Sequence, residues 1–164
     1  MSDSGLKKLL RRLSNNLTED RLVSNVTESV RKELGVDRVV LYYFYRQWEG
    51  RVTFESLSSD RYSIFGSTGP DECFNGEYAQ LYLQGRVKAI SNIATASIAE
   101  CHRDFLLNME VQANLVAPIL VRSELWGLLV AHHCQSPFNW SDEHITIMKT
   151  GAKQLVDARS IKET

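Results

Sequence analysis

The sequence predicts an α+β domain, an antiparallel β-sheet with helices packed on its faces. Three observations predict it. Apolar residues recur at three- and four-residue steps towards both ends of the chain, and between them the period falls to two in several runs. The strand-like runs come in neighbouring pairs joined by short turns, as hairpins do. Over 164 residues there is no repeat, low-complexity tract or internal boundary, so a single domain is expected across 1–164.

Leu6, Leu9, Leu10, Leu13 and Leu17 form one apolar helical stripe. Leu22, Val26, Val30 and Leu34 continue that spacing, and Gly35 is placed to end the helix. Lys7, Lys8, Arg11 and Arg12 fall largely off the stripe and read as a solvated face. Val36 to Tyr45 is dense in Val, Leu, Tyr and Phe, the composition of a buried strand. Glu49 and Gly50 suit a turn, and 51–57 alternates as the hairpin partner. The stretch 58–75, rich in Ser, Gly, Asp and Pro, reads as a long loop, and loops of that length inside compact domains are usually functional. Cys73 lies in it.

Tyr78, Leu81 and Tyr82 line one side of a short helix in 76–85, and 86–90 alternates as a strand. After a small-residue connection, Ile98, Cys101, Phe105 and Met109 follow helical steps, which predicts that Cys101 points inward. The segments 114–121 and 124–133 form a strand pair turning at Arg122 and Ser123. Pro137 breaks the chain. Ser141 is then expected to N-cap a last helix carrying Ile145, Met148, Ala152, Leu155 and Val156, with His144 at the third position giving no capping box.

Nineteen basic and twenty acidic residues leave a net charge of −1, which gives no electrostatic footprint for nucleic acid. No apolar run approaches the ~20 residues of a membrane span, and the amino end lacks a signal-peptide pattern. Three cysteines without a framework spacing argue for reduced thiols and a cytoplasmic setting. No phosphate-binding Gly-rich loop, dinucleotide fingerprint, nucleophile elbow or zinc-protease helix motif is present. Cys101 and His102 cannot pair as thiol and base within one helix, because adjacent side chains point roughly 100° apart. A zinc site from Cys73, Cys101, His102 and His132 has suitable donors but not the close-paired spacing of compact zinc modules. Cys134, at the end of an apolar strand, reads as a packing residue.

Three motifs in order carry a family resemblance. Cys101 and His102 followed by Phe105 and Leu106 resemble a chromophore-attachment helix. Asp71, Glu72, Cys73 and Phe74 match an Asp-X-Cys-Phe motif upstream of it. Leu125 to His132 is similar to a strand that carries a pocket histidine in phytochromes. Together they make the chain resemble a bilin-binding GAF domain of a cyanobacteriochrome, within the phytochrome superfamily and its Asp-X-Cys-Phe dual-cysteine subgroup. The resemblance runs nearly the whole length.

It implies a GAF-like sheet and a covalent linear tetrapyrrole, phycocyanobilin or its isomer phycoviolobilin. The implied permanent thioether is to Cys101, with His102 beside the pyrroles. Cys73, in the same motif as Phe74, is implied as a second, reversible thioether that shortens the conjugation. Asp71 would accept from pyrrole N–H groups, His132 would meet the ring D carbonyl, and Arg86 would meet a propionate. Tyr78 and Tyr82 are expected to line the pocket or pack. The implied function is a photoreceptor switching between a violet- or blue-absorbing doubly linked state and a green- to orange-absorbing singly linked one, through 15Z/15E photoisomerisation. Such a module is not a turnover enzyme, although it can catalyse its own bilin attachment and isomerisation. The amphipathic terminal helices suggest a neighbouring signalling output domain or a homodimer partner. The alternative readings are a GAF regulatory domain binding a cyclic nucleotide or other small metabolite, and a zinc or thiol sensor.

Overall fold

The computed structural model describes residues 3–68 and 76–164. Its elements are α1 (Asp3–Glu19), α2 (Arg21–Leu34), β1 (Arg38–Arg46), β2 (Glu49–Leu57), α3 (Gly76–Leu83), β3 (Lys88–Ile90), α4 (Glu100–Asn108), β4 (Ala113–Val121), β5 (Glu124–His133), α5 (Asp142–Leu155) and α6 (Arg159–Lys162). Short 3₁₀ turns at Asp60–Tyr62 and Ile93–Thr95 interrupt the connections. The five strands pair antiparallel in the order β2-β1-β5-β4-β3. The expected fold class is therefore the one observed.

Alternation along the three central strands divides two cores. Val39, Leu41, Leu115, Ala117, Ile119, Leu129 and Ala131 face one way, into a core shared with α1, α2 and α5. Val40, Val116, Leu128 and Val130 face the other way, beside Tyr82 of α3. Both faces of these strands are covered, which explains why they read as nearly unbroken apolar runs rather than strict alternation. On the helical side α2 and α5 approach closely. A Cβ placed on Gly151 would stand 2.8 Å from Val30 Cγ2, so only glycine admits this contact without a shift.

Three local expectations need correction. The leucine-rich amino-terminal stripe belongs to two helices, because Asp20 leaves helical geometry (φ −84°, ψ 109°) and caps α2 by accepting from Leu22 N at 3.1 Å. Its other carboxylate oxygen accepts from Ser160 N and Oγ at 3.0 and 2.7 Å, joining the α1–α2 junction to α6. The sequence did carry a mark of this break: Leu17 and Leu22 are five residues apart, a step outside the three- and four-residue spacing on either side. At α5 a capping box does form: Ser141 Oγ accepts from His144 N, and His144 Nδ1 accepts from Ser141 N at 3.0 Å. An imidazole nitrogen there replaces the usual Glu or Gln oxygen. The first hairpin turns earlier than expected, with β2 already begun at Glu49. Gly35 ends α2 as anticipated, in left-handed geometry with φ 67°.

Candidate functional site

The site lies on the sheet face away from α2 and α5. Here α3, α4 and their flanking turns do not close over the strands, and a cavity of about 220 Å³ remains, partly open to solvent. Val40 and Tyr42 of β1, Val116 of β4 and Leu128 and Val130 of β5 floor it. Tyr78 and Tyr82 come from α3, and His102, Phe105 and Leu106 from α4.

A row of three polar residues crosses the floor between adjacent strands. In register, Arg38 of β1 faces His132 of β5, which faces Asn114 of β4. All three are buried. Arg38 donates from Nε to His132 Nδ1 at 3.0 Å, from Nη1 to Tyr62 O at 2.6 Å and from Nη2 to Met109 O at 2.9 Å. Burial lowers the Arg38 pKa, opposed by Cys134 and the carboxylates of Glu55, Glu110 and Asp37. Burial, together with the Arg38 charge, holds the His132 imidazole well below its ordinary pKa, so it is neutral. His132 and Asn114 line the cavity. Asn114 Oδ1 is buried with no hydrogen-bond partner among the described residues.

At the other side Arg86, just past α3, sets its guanidinium 5.0 Å from the centre of the Tyr82 ring. Its Nε is buried without a hydrogen-bond partner among the described residues. Burial raises the Tyr82 pKa, and Arg86 pulls it back. His102 is pushed down by burial first and by Lys88 second. The helix carrying it is fixed from its own lead-in: Arg103 donates from Nε to Ile93 O at 3.2 Å and from Nη2 to Ala96 O. That lead-in is in turn stapled to the segment before α5, where Phe138 N donates to Ser91 O at 2.9 Å and Trp140 Nε1 donates to Ile90 O at 3.1 Å.

The structure brings together His102, His132, Arg86, Tyr78 and Tyr82 as the sequence suggests. Cys101 requires a correction. It is exposed, and the cavity-facing residues of this region are Ile98, His102, Phe105, Leu106 and Met109. Ile98, Phe105 and Met109 of the expected stripe do line the cavity, and His102 rather than Cys101 supplies the intervening turn; Cys101 precedes it in α4 and is not among the lining residues. Cys101 is also disulfide-bonded in this structure, so the expectation of reduced thiols is not met there. Cys134 is free, half-buried, and raised by burial to about 11, an unreactive thiol suited to packing. Asp71, Cys73 and Phe74 lie outside the described residues. Arg38 and Asn114 were missed. The available signal was a polar residue at a floor-facing position of an otherwise apolar strand, in period two with Val40 or Val116.

Among the described residues no group of three His, Cys, Asp or Glu side chains gathers as a metal site, and no helix is long and apolar enough to cross a membrane.

Comparison with known proteins fixes the family. The chain is 47% identical over 155 residues to an uncharacterised protein of Picosynechococcus sp., covering 94% of this chain and 95% of that protein. It is 35% identical over 142 residues to a putative methyl-accepting chemotaxis protein of Synechocystis sp., covering 87% of this chain but only 14% of that much longer relative. Among solved structures, the blue-light-absorbing form of the Thermosynechococcus elongatus PixJ GAF domain matches with a TM-score of 0.75 at 30% identity, over 90% of this chain and 86% of that one. A phycocyanobilin-bound GAF domain from a cyanobacterial phytochrome matches with a TM-score of 0.75 at 28% identity, over 96% and 93%. The GAF domain model itself matches residues 18–158, and the chain therefore belongs to the GAF domain family.

Proposed function

We propose that this domain is a photoreceptor module whose cavity holds a linear tetrapyrrole, phycocyanobilin or phycoviolobilin. The observation that carries the reading is the cavity itself. Arg86 and Asn114 line it, and Arg86 Nε and Asn114 Oδ1 are buried without hydrogen-bond partners among the described residues, in a chain whose fold matches a phycocyanobilin-bound GAF domain along nearly its full length. An extended, mostly apolar ligand with a few polar groups answers that arrangement. A bound bilin supplies light absorption and a double bond that isomerises between 15Z and 15E.

The protein's part follows from its side chains. Cys101, beside the cavity-lining His102, would hold the chromophore through a thioether to its ring A side chain, the thiol adding across a carbon–carbon double bond with its proton going to the neighbouring carbon. A reduced Cys101 is required for that step, since the disulfide leaves no thiol to add. His102 flanks the pyrroles, and Arg86 offers a guanidinium to a propionate. His132, neutral and buried, donates to the ring D carbonyl. Asp71 and Cys73 supply the carboxylate and the reversible second thioether of the dual-cysteine cycle, with Phe74 in the same motif. The domain turns over no substrate beyond its own chromophore, and it works in the cytoplasm beside an output domain or a second copy of the chain.

The decisive test is co-expression with bilin-synthesis enzymes, reduction, and acid denaturation. Colour retained on the polypeptide is expected; a colourless polypeptide would return the domain to the cyclic-nucleotide or metabolite reading, checked by stabilisation with ligand. Cys101→Ala should abolish the permanent covalent link. Cys73→Ala should keep the colour and lose the violet or blue state, and survival of that state would remove Cys73 from the cycle.

A further inference from the structure

We infer that Arg38 is a positioning residue that fixes which nitrogen of His132 carries the proton, and that His132 and Asn114 then present a donor and an acceptor side by side to the ligand. The ligand's identity rests on the bilin reading above; the polarity of the pair does not.

Arg38 Nε stands 3.0 Å from His132 Nδ1. A guanidinium has only hydrogens to offer, so Nδ1 must accept and the imidazole proton must sit on Nε2. Nε2 is the nitrogen left to the cavity that His132 lines. The low pKa of this buried ring agrees, because a protonated imidazole would turn N–H against N–H. Two further donors of Arg38 are spent on Tyr62 O and Met109 O, which hold the guanidinium from the turn after β2 and from the end of α4. Lysine has the charge but not this fork.

Next to His132 in register, Asn114 brings an acceptor oxygen that no described residue satisfies. Cross-strand neighbours of this kind have Cβ atoms about 4.5–5.5 Å apart. The wall therefore offers N–H and oxygen as a pair. A lactam carries the complement on one edge, a carbonyl beside an N–H, and the terminal ring of a linear tetrapyrrole is a lactam. His132 reads its carbonyl and Asn114 its N–H. The other titratable groups around the cavity (His102, Lys88, Arg86, Tyr78 and Tyr82) sit on or beside α3, β3 and α4, and Arg38 is the charged group bonded to His132 itself.

The first test needs no ligand. In the full chain labelled with ¹⁵N-histidine, the signals lost in His132→Gln identify this ring among the four histidines. At pH 7 a protonated Nε2 and a bare Nδ1 are expected in the wild type, and a mixture of tautomers in Arg38→Met. A wild-type ring protonated on Nδ1, or an unchanged ratio in the variant, overturns the role of Arg38. Should Arg38→Met fail to fold, Arg38→Gln, whose amide can accept as well as donate, and the wild-type spectrum still decide it. The second test uses chain loaded with ¹⁵N-phycocyanobilin. Asn114→Leu should shift the ring D N–H proton upfield while the other three pyrrole signals stay; an unmoved ring D signal removes Asn114 from the pair. Absence of covalent colour in the wild type would strike the bilin reading alone, and the tautomer measurement would still decide the inference.

Discussion

The two faces of the sheet are made by alternate residues of the same strands, and they are packed to different ends. Leu129 and Ala131 point into a core of aliphatic side chains from α1, α2 and α5 in which nearly every residue is inaccessible. Leu128, Val130 and His132 point into a cavity that keeps polar atoms unsatisfied. One face spends its side chains on stability and the other holds space open. The difference teaches that alternate residues of one set of strands can build a close-packed core on one side and a cavity floor on the other.

Adjacent truncations give the largest expected contrast. Leu129→Ala should cost about 3 kcal/mol in urea denaturation, because a closed core cannot collapse round the hole. Leu128→Ala, whose side chain already borders a cavity, should cost about half as much. Equal losses would break the distinction between the faces.

Acid should sharpen it. Burial holds His132 well below its ordinary value of 6.5, so the unfolded chain takes up its proton first as pH falls. The stability contributed by the neutral ring is present above about pH 6.5 and is lost progressively below it, at up to about 1.4 kcal/mol per pH unit. His102 and His133 are shifted in the same direction. Chemical denaturation from pH 7.5 to 5.0 should show this slope, reduced by about one proton in His132→Gln. An undiminished slope would mean that the cavity histidine is not the group that titrates.

The smallest effect lies on the packed side. Asp20→Ala removes a helix cap and the ties to Ser160, and should lower stability by about 1 kcal/mol, read as a fall in Tm of about 2–4 °C. If the covalent colour changes as well, the helical face is not as independent of the cavity as its packing indicates.

The sheet was legible because strands covered on both faces must be apolar throughout, and β4 and β5 were placed almost to the residue. The break at Asp20 was overlooked although Leu17 and Leu22 stand five residues apart, a step that shifts the apolar stripe round the helix. His102 and His132 were legible only through a resemblance to known chemistry; periodicity gave them no role. Cys101 was misplaced because the steps from Ile98 to Phe105 fit either Cys101 or its neighbour between them, and the structure turns His102 to the cavity. Arg38 escaped notice for a different reason. A basic residue opening a strand ordinarily ends in solvent, and nothing local reveals that two carbonyls and an imidazole from distant segments will surround it.

The staple between Ser91 and Phe138, and between Ile90 and Trp140, carries a mechanical consequence. The turn that leads into α4 is bonded to the strap that leads into α5. A ligand that pushes α4 outward must either stretch both bonds or drag the first turn of α5 with it. Since Ile90 closes β3, a shift of that turn would be felt both at the end of this edge strand and at the segment that opens α5.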